Sequence, residues 1–306
     1  MAPPTAHLAA ACLHHGEEPC LGGGRPVGNL FFSGCNLHCG FCQNHQISHR
    51  PRTGERLAPE ALAERMLALA EEGAGAIGLV SPTHQAAAVA AALAAARRQG
   101  LRLPVVYNSN GTDPPRLLAR FAGLVDLYLP DFKYGSDALA WPLSRVKGYT
   151  ARAVRAIREM HRQVGHLADG EARGAARRGL IVRHLVLPGG LAATGRMARL
   201  LVEAVGEGVW LSLMGQYHPA PLAATAAGRA LRRRFPELGR TLTRGEYAEA
   251  LEQVRLAGIT RLFLQDPETA PATGLPDFGR EEPFAWGAAP GGRRRDPRGA
   301  PAATPL

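Results

Sequence analysis

Val27-Gly28-Asn29-Leu30-Phe31-Phe32-Ser33-Gly34-Cys35-Asn36-Leu37-His38-Cys39-Gly40-Phe41-Cys42 carries an apolar, strand-like run straight into a short loop whose three thiols are spaced C-x3-C-x2-C. A strand that delivers a chemically loaded loop to one end of a sheet is how β/α folds build sites. An iron–sulfur cubane usually takes four thiolates, so three leave one iron with an open position. An open iron is a catalytic feature. The competing reading is structural zinc with His38 or His45 as fourth ligand; zinc ribbons, however, pair two C-x2-C knuckles, and the chain has no second. Cys12 and Cys20 stand alone and read as ordinary thiols.

The chain has 306 residues and is 46% hydrophobic, enough for one enzyme-sized domain with a full core. The Ala-rich stretch 86–96 stops at Arg97-Arg98, too short to cross a bilayer. Met1-Ala2-Pro3-Pro4-Thr5 opens without a basic segment followed by an apolar one, so no secretory leader is expected and the expected location is cytoplasmic. That compartment would keep the thiols reduced for iron. The net charge of +10 invites a nucleic-acid reading, but much of it sits in the Gly/Pro/Ala-rich end (Arg293, Arg294, Arg295, Arg298) and around Arg173, Arg177 and Arg178. No aromatic-interleaved basic stripe accompanies it, so solvated charge is the better reading. A basic surface still suits an acidic protein partner.

Short β-like runs alternate with helical stretches after the cysteine loop, which predicts a parallel sheet of about six βα units, an α/β partial TIM barrel. Strands are predicted over 28–33, 76–81, 104–109, 125–131, 180–187 and 209–214, with 261–264 as an added edge strand. Helices are predicted over 59–72, 85–99, 114–121, 151–164, 194–205 and 243–257; Pro59 and Pro114 suit first turns, and Gly73, Gly100 and Gly206 suit helix ends. Residues 135–148 and 166–179 read as loops. The expected organisation is an N-terminal extension over 1–26, the barrel domain over 27–266, and a disordered Gly/Pro/Arg-rich tail over 267–306.

In βα barrels the site collects where strands end, and here those ends turn polar one after another. They carry Ser81-Pro82-Thr83-His84, Asn108-Ser109-Asn110-Gly111, Asp131-Phe132-Lys133, Arg183-His184 and Gln216-Tyr217-His218. These are hydroxyls, amides and a few charges, suited to a ligand that presents ammonium, carboxylate and ribose groups.

The cysteine loop with Phe41, and the runs His14-His15-Gly16-Glu17-Glu18-Pro19, Ser81-Pro82-Thr83-His84, Tyr128-Leu129-Pro130-Asp131-Phe132-Lys133-Tyr134 and Arg183-His184-Leu185-Val186-Leu187-Pro188-Gly189-Gly190, resemble the pyruvate formate-lyase activating enzyme-like family of radical S-adenosylmethionine (SAM) enzymes; the likeness covers about residues 12–265. The resemblance implies a [4Fe–4S] cluster on Cys35, Cys39 and Cys42 and SAM chelated at the open iron. It implies SAM contacts from Ser81, Thr83, Asn108, Asn110, Asp131, Lys133, Arg183 and His218, with no catalytic residue beyond the cluster ligands. Asn108 departs from the aspartate of the activases, which removes a charge from their cation site, and Ser81-Pro82-Thr83 replaces the Gly-Gly-Glu of many relatives. The implied activity is reductive cleavage of SAM to a 5′-deoxyadenosyl radical that abstracts hydrogen, with activation of a glycyl-radical protein as one destination. Alternatives are modification of a peptide, nucleic acid or small molecule, and a non-catalytic metal-binding scaffold. The implied partners are an external one-electron reductant of flavodoxin or ferredoxin type and a protein substrate, with neither membrane nor nucleic acid.

Overall fold

The structure is a computed structural model and describes residues 4–265, 267, 275–280 and 282–284. In chain order its main elements are β1 (Ala6–His14), β2 (Val27–Phe32), α1 (His45–Ser48), β3 (Glu55–Leu57), α2 (Pro59–Glu71), β4 (Ala76–Val80), α3 (Ala86–Arg98), β5 (Val105–Ser109), α4 (Pro115–Leu118) and β6 (Leu127–Pro130). There follow α5 (Asp137–Ser144), α6 (Tyr149–Val164), α7 (Asp169–Ala172), β7 (Gly179–Leu185), α8 (Thr194–Val205), β8 (Trp210–Met214), α9 (Pro221–Ala224), α10 (Ala226–Arg234), α11 (Arg244–Leu256) and β9 (Leu262–Gln265). The strands form one sheet in the order β3-β1-β2-β4-β5-β6-β7-β8-β9. From β2 to β9 every pairing is parallel, while β1 runs antiparallel to both β2 and β3. The sheet ends at β3 and β9 and does not close, so this is the expected partial barrel.

Alternation along the strands separates two faces. Leu30, Phe32, Ile77, Leu79, Val105, Tyr107, Tyr128, Val182, Leu211 and Leu213 point into the layer beneath the helices, where they meet Leu62, Met66, Val89, Leu93, Ile157, Met160 and Leu201. Each of these fully buried aliphatic side chains contributes roughly 1.5–3 kcal/mol. Val27, Ala76, Val106, Leu127, Leu129 and Ile181 point the other way, into the lumen, whose bottom is plugged by Cys20, Leu21, Leu167, Ala172 and Ala176. One step further along the strands the same inward register brings Asn29, Asn108, Arg183, Ser212 and Gln265 into the lumen. The barrel is therefore apolar at its base and polar where the loops begin. Gly78 leaves space in that layer for Asn29, since a Cβ there would lie 1.9 Å from Asn29 Oδ1 and displace the amide.

Several elements depart from the sequence reading. The N-terminal extension expected over 1–26 is not separate: β1 pairs along β2 and extends the sheet. Its Ala-rich sequence carries little strand propensity, and pairing with β2 overrides it. Residues 135–148, expected as a loop, contain α5, which is bracketed by Gly135 and Gly148 and interrupted by Pro142. The charged connection 166–179 contains the short α7, and α9 and α10 had no counterpart in the sequence reading. The C-terminal tail expected to be disordered lies mostly outside the described residues. Within the described part, Phe278 packs with Phe31 at 5.2 Å between ring centroids and Phe284 with His14 at 4.2 Å, a strap across the β1–β2 side of the barrel. Among the described residues no helix is long and apolar enough to cross a membrane.

His184, fully buried on the outer face of β7, ties the ends of β6 and α8 together. Its Nδ1 faces the Phe132 carbonyl at 2.6 Å and so carries the proton, while Nε2 accepts from the Thr194 hydroxyl at 2.9 Å. Burial pushes its pKa down from 6.5 to about 4. The unfolded chain then binds the extra proton between those values, so stability present above pH 6.5 is lost as pH falls toward 4, on the order of 3 kcal/mol. Urea denaturation of wild type and His184→Gln between pH 7 and 4 is expected to show the steeper loss in wild type; parallel profiles would contradict this account.

Candidate functional site

The loop after β2 has little regular structure, so its shape depends on contacts made across the fold. Gly34 N donates to Ile47 O at 2.9 Å, His38 N to Ser144 O at 3.1 Å and Gly40 N to Leu143 O at 3.1 Å. Leu37, Cys39 and Phe41 turn inward and are buried, and Phe41 lies 6.0 Å from the Tyr217 ring. Gly40 is in close contact with α10: a Cβ there would stand 2.2 Å from Leu231 Cδ1, so a side chain would displace that leucine.

Every thiol of the loop has a hydrogen-bonding group aimed at its sulfur. Cys35 Sγ accepts from Leu37 N and from Asn110 Nδ2, each at 3.4 Å. Cys39 Sγ accepts from the buried Ser144 hydroxyl at 2.9 Å, and Ser144 Oγ in turn pairs with the Tyr134 hydroxyl. Cys42 Sγ lies 3.2 Å from Ser48 Oγ. Burial pushes the Cys39 thiol up to about 12 and raises that of Cys42 as well. Buried sulfurs of this kind become thiolates when a bound cation supplies the opposing charge, and the surrounding donors then disperse what remains. Among the described residues no group of three or more His, Cys, Asp or Glu side chains closes around a single ion.

The strand ends brace this loop. Asn110 Nδ2 donates to Asn36 Oδ1 at 2.6 Å, Asn36 Nδ2 to the Thr112 hydroxyl at 3.0 Å, and that hydroxyl to Asn110 Oδ1 at 2.6 Å, which locks the β5 end onto the cysteine loop. Gly111 follows with φ +78°, and a Cβ there would fall 2.2 Å from Asp131 O. At the β6 end Lys133 Nζ pairs with Asp131 Oδ2 at 2.5 Å. Tyr149 pins that pair by accepting from Lys133 N at 2.7 Å and donating to Asp131 O at 2.9 Å. Burial works against the Lys133 ammonium, but Asp131 and then the Cys39 sulfur more than offset it and raise its pKa.

The eight expected SAM contacts fall into different situations. Asn108, Arg183 and His218 line a cavity of about 560 Å³ inside the barrel mouth, which Gln43 and Asn44 join from just beyond Cys42. That volume lies within the usual range for small-molecule sites. Asn110 is engaged with Asn36 and Cys35. Thr83 is buried and donates to Asp113 Oδ1 at 2.6 Å, an oxygen that also accepts from the Tyr107 hydroxyl at 2.9 Å. Ser81, half-buried, takes φ +56°, a left-handed backbone at the end of β4 that is costly for a serine. His218 Nδ1 accepts from Ala220 N at 3.1 Å. A second cleft, of about 450 Å³ between α8 and α11, is lined by none of the expected site residues.

Arg183 has acquired partners that sequence reasoning did not foresee. Glu18 grips its guanidinium with both carboxylate oxygens, at 2.6 Å each, and Glu17 pairs with Nη2 while accepting from Asn29 Nδ2 at 2.7 Å. Burial alone would raise the Glu17 carboxyl, yet Arg183, His14 and Asn29 hold it below the usual range. Burial likewise opposes the Arg183 cation, and Glu18 with Glu17 outweighs it. Ser144, Tyr134, Ser48 and Tyr149 were also missed, since nothing local in the sequence marks a hydroxyl that meets a thiol or a lysine amide only after folding. The run Gly16-Glu17-Glu18-Pro19 was visible, but its partner lies 165 residues away.

Residues 29–166 match the model of the radical SAM superfamily. An uncharacterized protein of Methanocaldococcus jannaschii, MJ0674, is 29% identical over 256 residues, which are 81% of this chain and 66% of that protein, so the chain spans just under two thirds of this relative's length. Solved structures that resemble the fold include a domain of pyruvate-formate lyase-activating enzyme from Bacteroides vulgatus, at 13% identity and TM-score 0.42 over 61% of this chain and 94% of that one. Another is methylornithine synthase (PylB), at 16% identity and TM-score 0.46 over 82% of this chain and 74% of that one. The matched segment, residues 29–166, marks a radical SAM superfamily domain within the chain. Members of that superfamily bind a [4Fe–4S] cluster and SAM, and the donor set here suits both: three thiols, each with its own hydrogen-bonding group, beside a cavity of about 560 Å³.

Removing Arg183 would strand two buried carboxylates. Arg183→Ala is expected to cost about 3–5 kcal/mol in urea denaturation, with partial recovery in a triple variant that adds Glu17→Gln and Glu18→Gln. A loss below about 1 kcal/mol would show that the triad is not what holds the N-terminal segment in place.

Proposed function

We propose that the chain holds one [4Fe–4S] cluster on Cys35, Cys39 and Cys42, binds SAM in the adjoining cavity, and cleaves it reductively to start a hydrogen abstraction. The observation that carries this reading is the hydrogen-bonding group set against each thiol at the barrel mouth. When bound, the two cofactors supply one-electron cleavage of a sulfonium carbon–sulfur bond and a 5′-deoxyadenosyl radical. The protein supplies placement and dryness.

Ser144, Ser48, Asn110 and Leu37 N would steady the sulfurs, and hydrogen bonds of this kind tune a cluster's potential. Lys133 is a cation kept charged beside Cys39 by Asp131, so it offsets thiolate charge and offers a donor to a carboxylate. Asn108, Arg183 and His218 line the cavity and present an amide, a guanidinium edge and an imidazole to its occupant. Phe41, buried within the loop and 6.0 Å from the buried Tyr217 ring, would add apolar bulk that helps exclude water from the sulfurs. With Asn108 in place of aspartate, we infer that SAM is held here without the anionic cation site of the activases.

For the destination of the radical, activation of a glycyl-radical protein is the reading that the resemblance supports. A small substrate is favoured by a different observation: Pro276 and Phe284 line the cavity, so the strap narrows the opening that a protein loop would need.

Anaerobic reconstitution is expected to load about four irons, and reduction in the presence of SAM to release 5′-deoxyadenosine. Cys39→Ala should lose both. Ser144→Ala should keep its iron and show a cluster midpoint potential shifted negative, restored toward wild type by Ser144→Thr. A preparation that took up zinc instead, or that cleaved SAM normally with Cys39 replaced, would refute the assignment.

A further inference from the structure

The cysteine loop is clasped at Gly40 by two helices, one followed at once by exposed cations and the other basic along its length. On one side α5 accepts Gly40 N at Leu143 O and His38 N at Ser144 O. On the other, α10 places Leu231 and Gly228 against Gly40, at 2.2 Å and 3.6 Å from where its Cβ would be. Around the end of α5, Trp141 is 44% exposed, one of few large apolar side chains left in solvent among the described residues. Lys147 Nζ stands 5.2 Å and Arg145 Cζ 5.9 Å from its ring centroid, so the indole is flanked by two exposed cations. Helix α10 reads Ala-Ala-Gly-Arg-Ala-Leu-Arg-Arg-Arg, with no acidic residue, and its Arg229, Arg232, Arg233 and Arg234 are all exposed.

We propose that this basic collar, with Trp141 as its apolar anchor, is the docking surface for a small acidic electron-carrier protein that reduces the cluster. The inference rests on the cluster assignment made above and adds where the electron enters. Solvated arginines alone would not distinguish this face, since the chain is basic throughout. What distinguishes it is that basic side chains lie on or just beyond both helices that clasp the thiol loop, and that two of them, Arg145 and Lys147, flank an exposed indole. Aromatic residues and arginine are the side chains enriched at binding centres. The same helix that presents Trp141 ends in Ser144, whose hydroxyl lies 2.9 Å from Cys39 Sγ. A carrier seated there gives up one electron to the cluster and is itself oxidised by one, with no proton or bond change required. Complementary charge would hasten the encounter and weaken with added salt.

The test uses the reconstituted full chain, reduced flavodoxin as the probe, and Lys147→Glu combined with Arg233→Glu, one substitution on each side of the loop. Cluster reduction by flavodoxin, followed by the loss of the cluster's visible absorbance, should slow at least tenfold at low salt. Reduction by dithionite should be unchanged, and the wild-type flavodoxin rate should fall as salt rises. Trp141→Ala should weaken flavodoxin binding several-fold, measured by anisotropy of a label on the flavodoxin. The anisotropy measurement does not need the cluster and is repeated on Cys39→Ala. Charge reversal that still abolishes binding there, in protein that holds no iron even with Cys39 present, would overturn the cluster assignment and leave the docking surface standing. Unchanged flavodoxin rate and affinity in the charge-reversed protein would overturn the docking surface. So would a result in which only binding to polyuridylate, and not to flavodoxin, responded to the substitutions.

Discussion

A loop that must hold three thiols inside a protein without helix or strand of its own depends on its neighbours for most of its backbone and sulfur contacts. That constraint organises the upper half of this molecule. Gly34, His38 and Gly40 give their amides to α1 and α5, Asn36 is netted by Asn110 and Thr112 from the β5 end, and Gly40 is pressed by Leu231 of α10. The sulfurs are then met from separate elements: Asn110 from β5, Ser144 from α5, Ser48 from α1. Donors converging from several elements are preorganised, as the cluster proposed at these sulfurs would require.

A second constraint runs through the lumen. The inward register of the parallel strands brings Asn29, Asn108, Arg183 and Ser212 above an apolar plug, and buried polar groups must be paired. The Glu17–Arg183–Glu18 triad meets that requirement by using a segment ahead of β2, and so makes the N-terminal region part of the barrel wall. The Asp131–Lys133 pair under Tyr149 is the corresponding arrangement beside Cys39. Both arrangements keep ions charged that burial alone would neutralise. The lumen therefore offers fixed charge to a polar ligand.

Most of the parallel strands and the longer helices between them were legible because their apolar period shows and proline or glycine commonly marks their ends. The helix predicted over 59–72 forms as Pro59–Glu71, and that over 194–205 as Thr194–Val205. What stayed hidden was short, alanine-rich or proline-interrupted. β1 is a strand only because β2 and β3 pair with it, and α5 carries Pro142 inside it. In the site, the cysteine spacing and the polar strand ends stood in the sequence, whereas the engagement of Thr83 by Asp113, of Asn110 by Asn36 and of Arg183 by two glutamates did not. Those pairings join residues 30 to 165 apart, and no local pattern encodes them.

By itself, the sequence determined the class of site and the architecture that presents it, because thiol spacing is a covalent fact and apolar periodicity is set by the geometry of helix and strand. Tertiary structure alone decided how the site is held: which hydroxyl faces which sulfur, which cation stays charged, and that a basic collar with an exposed indole borders the loop. Those outcomes depend on distance in space, and hydrogen bonds and ion pairs fall off over a few ångströms whatever the separation along the chain.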